Sequence, residues 1–100
     1  MDRLIDWSPE AIEDLESIAL YIERDSAFYA RAVVTRILEL IEMLPENPRI
    51  GRIVPEREND RLREMFVYSY RVIYHIEESI LVVAIIHGKR DPNTIQSRLT

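Results

Sequence analysis

Residues 61–87 read RLREMFVYSYRVIYHIEESILVVAIIH, and the reading of this stretch decides the fold. Arg61–Val67, Tyr70–Glu77 and Ile80–His87 are rich in β-branched and aromatic residues and stand at hairpin spacing, so three strands are predicted. The Glu77-Glu78-Ser79 break suits a tight hairpin. Ile80–Ile86 is apolar on both alternating sets, which predicts a central strand covered on both faces. It is also the longest apolar run, at seven residues, against the roughly 20 that a membrane helix needs.

Upstream, residues 52–60 are polar and predict an extended loop, and Pro45–Gly51 carries turn chemistry with two prolines and a glycine. Before that lie two helical patterns. Ser8-Pro9 gives an N-cap followed by a proline that needs no N–H, and Glu10, Glu13 and Asp14 suit the positive end of the helix dipole. Ile12, Leu15, Ile18, Ala19 and Ile22 then form one apolar stripe. Asp25-Ser26 breaks the pattern, and Ala30, Val33, Val34, Ile37, Leu38, Ile41 and Leu44 resume it, so an antiparallel helical hairpin is expected. Arg3–Trp7 is a short strand candidate. The tail from Lys89 to Thr100 opens on an Asp91-Pro92 turn and predicts a short helix or a frayed end. The expectation is an α+β fold of order β-α-α-β-β-β, with the three last strands as an antiparallel meander and residues 1–100 as one domain.

Composition narrows the function. The chain is 47% hydrophobic and 31% charged, which excludes a disordered tail. It has no cysteine, which excludes a disulfide scaffold, a zinc finger and thiol catalysis. No membrane span or signal peptide is read, so the expected compartment is the cytoplasm. The net charge is −5, but it is uneven: residues 1–48 hold four basic and eleven acidic side chains, and residues 49–100 hold nine and seven. Twelve of the thirteen basic residues are Arg, whose planar fork suits carboxylate or phosphate, so the second half is the expected anion-binding half.

The element order, with Trp7-Ser8-Pro9-Glu10-Ala11 opening the first helix, resembles the RelE/ParE superfamily of toxins from bacterial type II toxin–antitoxin systems. Asp14-Leu15 with Ile18 and Tyr21-Ile22, Pro48 with Gly51-Arg52, Leu62-Arg63-Glu64, Tyr70-Arg71-Val72-Ile73-Tyr74, and Ile86-His87-Gly88-Lys89-Arg90 carry the resemblance. The helix opening and the last two elements look more like the ParE branch. The resemblance implies a cytoplasmic growth inhibitor without a cofactor, neutralised by an antitoxin whose disordered C-terminal segment wraps the toxin. ParE-branch members are associated with DNA gyrase, and RelE-branch members with cleavage of messenger RNA on the ribosome.

Cleavage of RNA through the 2′-hydroxyl needs a base, an acid and cations for the phosphorane. Glu56, Arg71 and His87 fall where one nuclease subgroup of the superfamily has its Glu, Arg and His. That subgroup follows its His with Tyr, whereas Gly88 stands here, and the lysine cluster of RelE is absent. Arg71 reads equally well as the partner of a Glu on the next strand, and His75 reads as structural. Two His twelve residues apart without Cys argue against a metal site. Arg61, Arg63, Arg71, Lys89 and Arg90 are the expected target- or antitoxin-binding residues. The aromatics Trp7, Tyr21, Phe28, Tyr29, Phe66, Tyr70 and Tyr74 are expected in the core, with Tyr68 exposed. Three functions remain open: a gyrase-binding toxin, a ribosome-dependent ribonuclease, and a non-toxic interaction module.

Overall fold

The computed structural model describes residues 3–88 and 97–99. Strand β1 (Ile5–Trp7) leads into helices α1 (Pro9–Glu23) and α2 (Ala27–Glu42), and β2 (Arg52–Ile53), β3 (Leu62–Val67), β4 (Tyr70–Ile76) and β5 (Ile80–His87) follow. The sheet order is β1-β5-β4-β3-β2, with β1 parallel to β5 and the rest antiparallel. The meander β3-β4-β5 stands where the sequence places it, and β5 is interior. Strand β2 corrects the extended-loop expectation for residues 52–60. Its two residues pair with Arg63 and Glu64, so its partner lies ten and more residues away and leaves no local signature.

Register assigns the two faces of the sheet. Met65, Val72, Tyr74, Ile76, Ile80, Val82 and Ile85 form the main core with Ala11, Ile18, Val33, Ile37 and Ile41 of the helices. Leu62, Ile73, Ala84 and Ile86 point the other way and pack with Val54, Val83 and Leu99. The helix stripes are narrower than expected: Ile12 and Leu38 are exposed. The aromatic expectation needs a larger correction. Tyr74 is fully buried, and Trp7 and Tyr70 pack against the core, but Tyr21, Phe28, Tyr29 and Phe66 are exposed along with Tyr68.

Ser8 joins α1 to the sheet. Its Oγ accepts the Ala11 N–H at 3.1 Å as the N-cap and donates to Val83 O at 3.3 Å, while its own N–H bonds Val82 O at 2.9 Å. The register between β4 and β5 shifts at Ile73/Tyr74, which pair with Ala84 and Val82 and leave Val83 between them as a bulge. One side chain thus caps a helix and holds the bulged strand.

Tyr74 fixes the approach to β2. Its hydroxyl donates to Pro48 O at 2.7 Å and accepts the Gly51 N–H at 3.0 Å, and burial holds its pKa above the usual tyrosine value. Gly51 lies so close to β3 that a Cβ would stand 2.5 Å from Glu64 O and 2.7 Å from the Tyr74 hydroxyl. Arg63 closes the same corner, donating to Asp60 O at 2.9 Å, Asp60 Oδ1 at 2.6 Å and Gly51 O at 3.0 Å. Backbone cannot retreat here as a side chain would. Gly51→Ala is therefore expected to cost about 1–3 kcal/mol in urea denaturation, and an unchanged midpoint would show that the corner is looser than this packing implies.

Candidate functional site

Two constellations could carry function, one on each face of the sheet. The first is an ion-pair network around Arg71, on the face away from the helices. Arg71 pairs in register with Phe66 and Ile86, and it is only 4% exposed. Its Nη1 and Nη2 donate to Glu56 Oε2 and Oε1 at 3.0 and 2.9 Å, and its Nε donates to Glu64 Oε1 at 2.7 Å. Nη2 also pairs with Glu64 Oε1. Glu64, 1% exposed, takes Arg52 Nε on its other oxygen at 2.6 Å. Two guanidinium groups and two carboxylates thus close on one another. Hydrogen bonds from Arg71 lower the Glu56 pKa, against the upward push of burial. Burial pulls the Arg71 pKa down, but its bonds to Glu56 and Glu64 prevail and raise it.

The second constellation is a groove of about 660 Å³ on the helix side, at the end of the sheet where β3 turns into β4. Tyr21 of α1, Tyr29 of α2, Tyr68 from the turn, Tyr70 of β4, and Ile85 and His87 of β5 line it. Tyr21, Tyr29 and Tyr68 are 66%, 53% and 61% exposed, so three aromatic rings meet solvent at one place. Tyr68 has φ 55°, in the left-handed region that a bulky residue rarely occupies. The turn is held by the Gly88 N–H on Ser69 O at 2.7 Å. A Cβ on Gly88 would lie 3.1 Å from Phe66 and 3.2 Å from Ser69 O, which favours glycine after His87. Tyr70 meets His87 edge to face at 5.7 Å. Burial and the neighbouring Tyr21 and Tyr29 raise the Tyr70 pKa, so its hydroxyl stays protonated.

Asp14 ties this groove to β5 and the tail. Its Oδ2 accepts the Ile85 N–H at 2.9 Å, and Arg98 clasps both carboxylate oxygens at 3.1 and 2.8 Å. The hydrogen bonds to Asp14 raise the Arg98 pKa. No helix among the described residues is long and apolar enough to cross a membrane. Among them, no group of three or more His, Asp or Glu side chains could hold a metal ion.

The structure brings Glu56 and Arg71 together but not His87. Register puts His87 beside Tyr70 on the helix face, while Arg71 faces the opposite side. Arg63 clamps the Gly51 corner, and Arg61 is exposed at the head of β3, its backbone N–H on Asn59 Oδ1. Lys89 and Arg90 lie outside the described residues. Sequence reasoning missed the exposed tyrosines. The available signal was that Asp14, Ser17 and Tyr21 form a stripe beside the apolar one on α1, and a stripe begun by Asp and Ser is a solvent-facing one.

The network makes two predictions. Glu64→Ala, which leaves Arg71 and Arg52 short of a carboxylate, is expected to cost about 3–5 kcal/mol. Replacing Glu64 and Arg71 together by Met should cost much less than the single change, because no buried charge is orphaned; equal losses would mean that the pair is not energetically coupled. Because the folded Glu56 pKa is depressed, its contribution is complete above the ordinary Glu value of about 4.3 and is lost as pH falls through the lower folded value. Glu56→Gln should therefore flatten the melting-temperature curve in that acid window alone. A parallel curve for the variant would exclude this linkage.

A family model for the ParE toxin of type II toxin–antitoxin systems matches residues 5–92. "Putative toxin Y4kP" of Sinorhizobium fredii is 31% identical over 87 residues, covering 86% of this chain and 88% of that protein. Among solved structures, the chromosomal ParDE toxin–antitoxin system of Pseudomonas aeruginosa superposes with a TM-score of 0.71 at 19% identity, covering 87% of this chain and 97% of that one. A mutant of the Escherichia coli toxin RelE in the free state gives a TM-score of 0.68 at 16% identity, covering 98% and 94%. The α+β fold is thus that of RelE/ParE toxins, and with the family model spanning most of its length, the chain belongs to the ParE toxin family of type II toxin–antitoxin systems.

Proposed function

We propose that this toxin inhibits growth by binding DNA gyrase, without covalent chemistry, and that a cognate antitoxin neutralises it. The observation that carries the reading is the separation of His87 from Glu56 and Arg71 by the thickness of the sheet. General acid–base cleavage needs acid, base and phosphate-holding cation around one phosphate. Here the cation is closed by two carboxylates on one face and the imidazole meets Tyr70 edge to face on the other. The match to the ParE model favours gyrase over messenger RNA as the target.

The tyrosine groove is the proposed seat of the antitoxin segment. Aromatic rings at a concave surface provide large burial at little entropic cost, and a segment that orders on binding can follow a groove between helices and sheet. Arg52, Arg63 and Arg71 already hold internal carboxylates or carbonyls, so Arg61 is the described member of the expected basic set best placed to meet a partner.

Induction of the chain alone, with growth, plasmid supercoiling and transcript ends followed together, tests the target. The expected result is growth arrest with inhibited supercoiling and intact transcripts. Codon-positioned cuts would replace this reading with the ribonuclease one, and unaffected growth would leave an interaction module. Tyr21→Ala and Tyr29→Ala should each weaken antitoxin binding about tenfold, near 1.4 kcal/mol, in titration calorimetry with the fold intact by circular dichroism. Unchanged affinity in both would move the antitoxin to another surface.

A further inference from the structure

A second cavity, of about 590 Å³, opens on the sheet face opposite the α1–α2 hairpin, beside the helical turn at residues 97–99. Leu62, His75 and Leu81 form its floor as a cross-strand row, and Val83 and Leu99 add apolar wall. Arg57 enters from the loop before β3, where its N–H is fixed on Val54 O at 3.0 Å. The Nε and Nη2 groups of Arg57 are buried and meet no hydrogen-bond acceptor among the described residues. These two N–H groups make up the side-on edge of the guanidinium, the edge that matches the two oxygens of a carboxylate. His75 Nδ1 is also buried, 3.3 Å from Glu77 Oε1 without forming a hydrogen bond.

Buried cationic N–H groups without an acceptor are costly, and native structures pair nearly all such groups. Every other guanidinium described in the two sheet-face networks has its acceptors: Arg71 has Glu56 and Glu64, Arg52 has Glu64, and Arg98 has Asp14. We propose that the cavity binds a carboxylate, taken side-on by Arg57, with the hydrocarbon body of the acid against Leu62, Leu81 and Val83. The volume falls within the range of small-molecule clefts, roughly 300–1,000 Å³. Charge selects carboxylate over phosphate. Glu10 and Glu77 also line the cavity and Arg98 is held by Asp14, so each added negative charge on a ligand meets repulsion, and a phosphate dianion meets about twice that of a carboxylate for the same contact with Arg57. The same chemistry is offered by a free organic acid and by an acidic residue of a peptide.

Nuclear magnetic resonance of the arginine Nε–H groups in the purified chain tests this directly. Titrations use hexanoate for a free acid, acetylated and amidated glutamate for a peptide residue, and inorganic phosphate. Hexanoate is expected to move the Arg57 Nε–H signal saturably while that of Arg71, already closed, stays in place. Movement with the glutamate derivative alone supports the site and assigns it to an acidic residue. Arg57→Lys, which keeps the charge and loses the edge, should bind at least tenfold more weakly. The Arg57 signal can also be assigned through its own backbone amide, so the wild-type titration decides the matter even where the variant fails to fold. No movement of that signal with either carboxylate, movement with phosphate alone, or equal binding by Arg57→Lys overturns the proposal.

Discussion

Arg71 carries a full charge at 4% exposure between two strands, and stripping a guanidinium of water is tolerable only where acceptors replace its hydration. β3 supplies one carboxylate, because Glu64 stands on the same face one register step away. The second comes from outside the meander. Glu56 reaches back from the loop before β3 and takes both Nη groups. That demand orders residues 54–57, and Arg52 on the spare oxygen of Glu64 holds the two-residue strand β2 against the sheet edge. The position of Arg57 follows from the same constraint, since it is the next residue after Glu56. The face of the sheet opposite the α1–α2 hairpin is therefore organised from one buried cation outward.

The helix face is organised by a different device, a carboxylate that serves as backbone partner. Asp14 accepts the Ile85 N–H just past the bulge at Val83, where ladder pairing is interrupted. Ser8 holds the bulge from its other side. Helix α1 is thereby pinned to β5 at two points along its length, which fixes where Tyr21 stands relative to His87. Tyr68 is displayed beside them by a left-handed turn, a conformation that persists only where its surroundings impose it. Three exposed tyrosines at one end of a small domain are the kind of surface that proteins complete by association.

The meander was legible because strand alternation and hairpin spacing are local signals, and so was the helix opening, because a cap and a proline act within one turn. What escaped was whatever depended on a distant partner. Strand β2 exists only through pairing with Arg63 and Glu64. Tyr21, Phe28 and Tyr29 look like core residues by type, but the helices bury narrow stripes centred on Ala11, Ile18, Val33 and Ile37, and these rings fall outside them, while Phe66 stands on β3 on the Arg71 face, with the Arg52 guanidinium 5.4 Å from its ring. The choice at Arg71 between a phosphate and a strand-neighbour Glu could not be made from the chain alone. The register sets Phe66 opposite Arg71, and it is the diagonal neighbour Glu64 that takes the guanidinium.

The register also resolves the apparent conflict between an acidic chain and an Arg-rich second half. Arg49 and Arg63 share Asp60, Arg52 and Arg71 share Glu64, Arg71 adds Glu56, and Arg98 takes Asp14. Hydrogen bonds from Arg49 and Arg63 also depress the Asp60 pKa below the ordinary carboxylate value. The excess of base over acid in residues 49–100 is thus consumed mostly within the fold. Among the described residues of that half, Arg57 and Arg61 are the basic side chains without a carboxylate pair. A surface so neutralised does not attract phosphates along its length, as a nucleic-acid-binding face must. On the proposed reading, recognition then falls to apolar burial at the tyrosine groove, where affinity varies little with salt, and to single, directed contacts at the few cations that the fold leaves uncommitted.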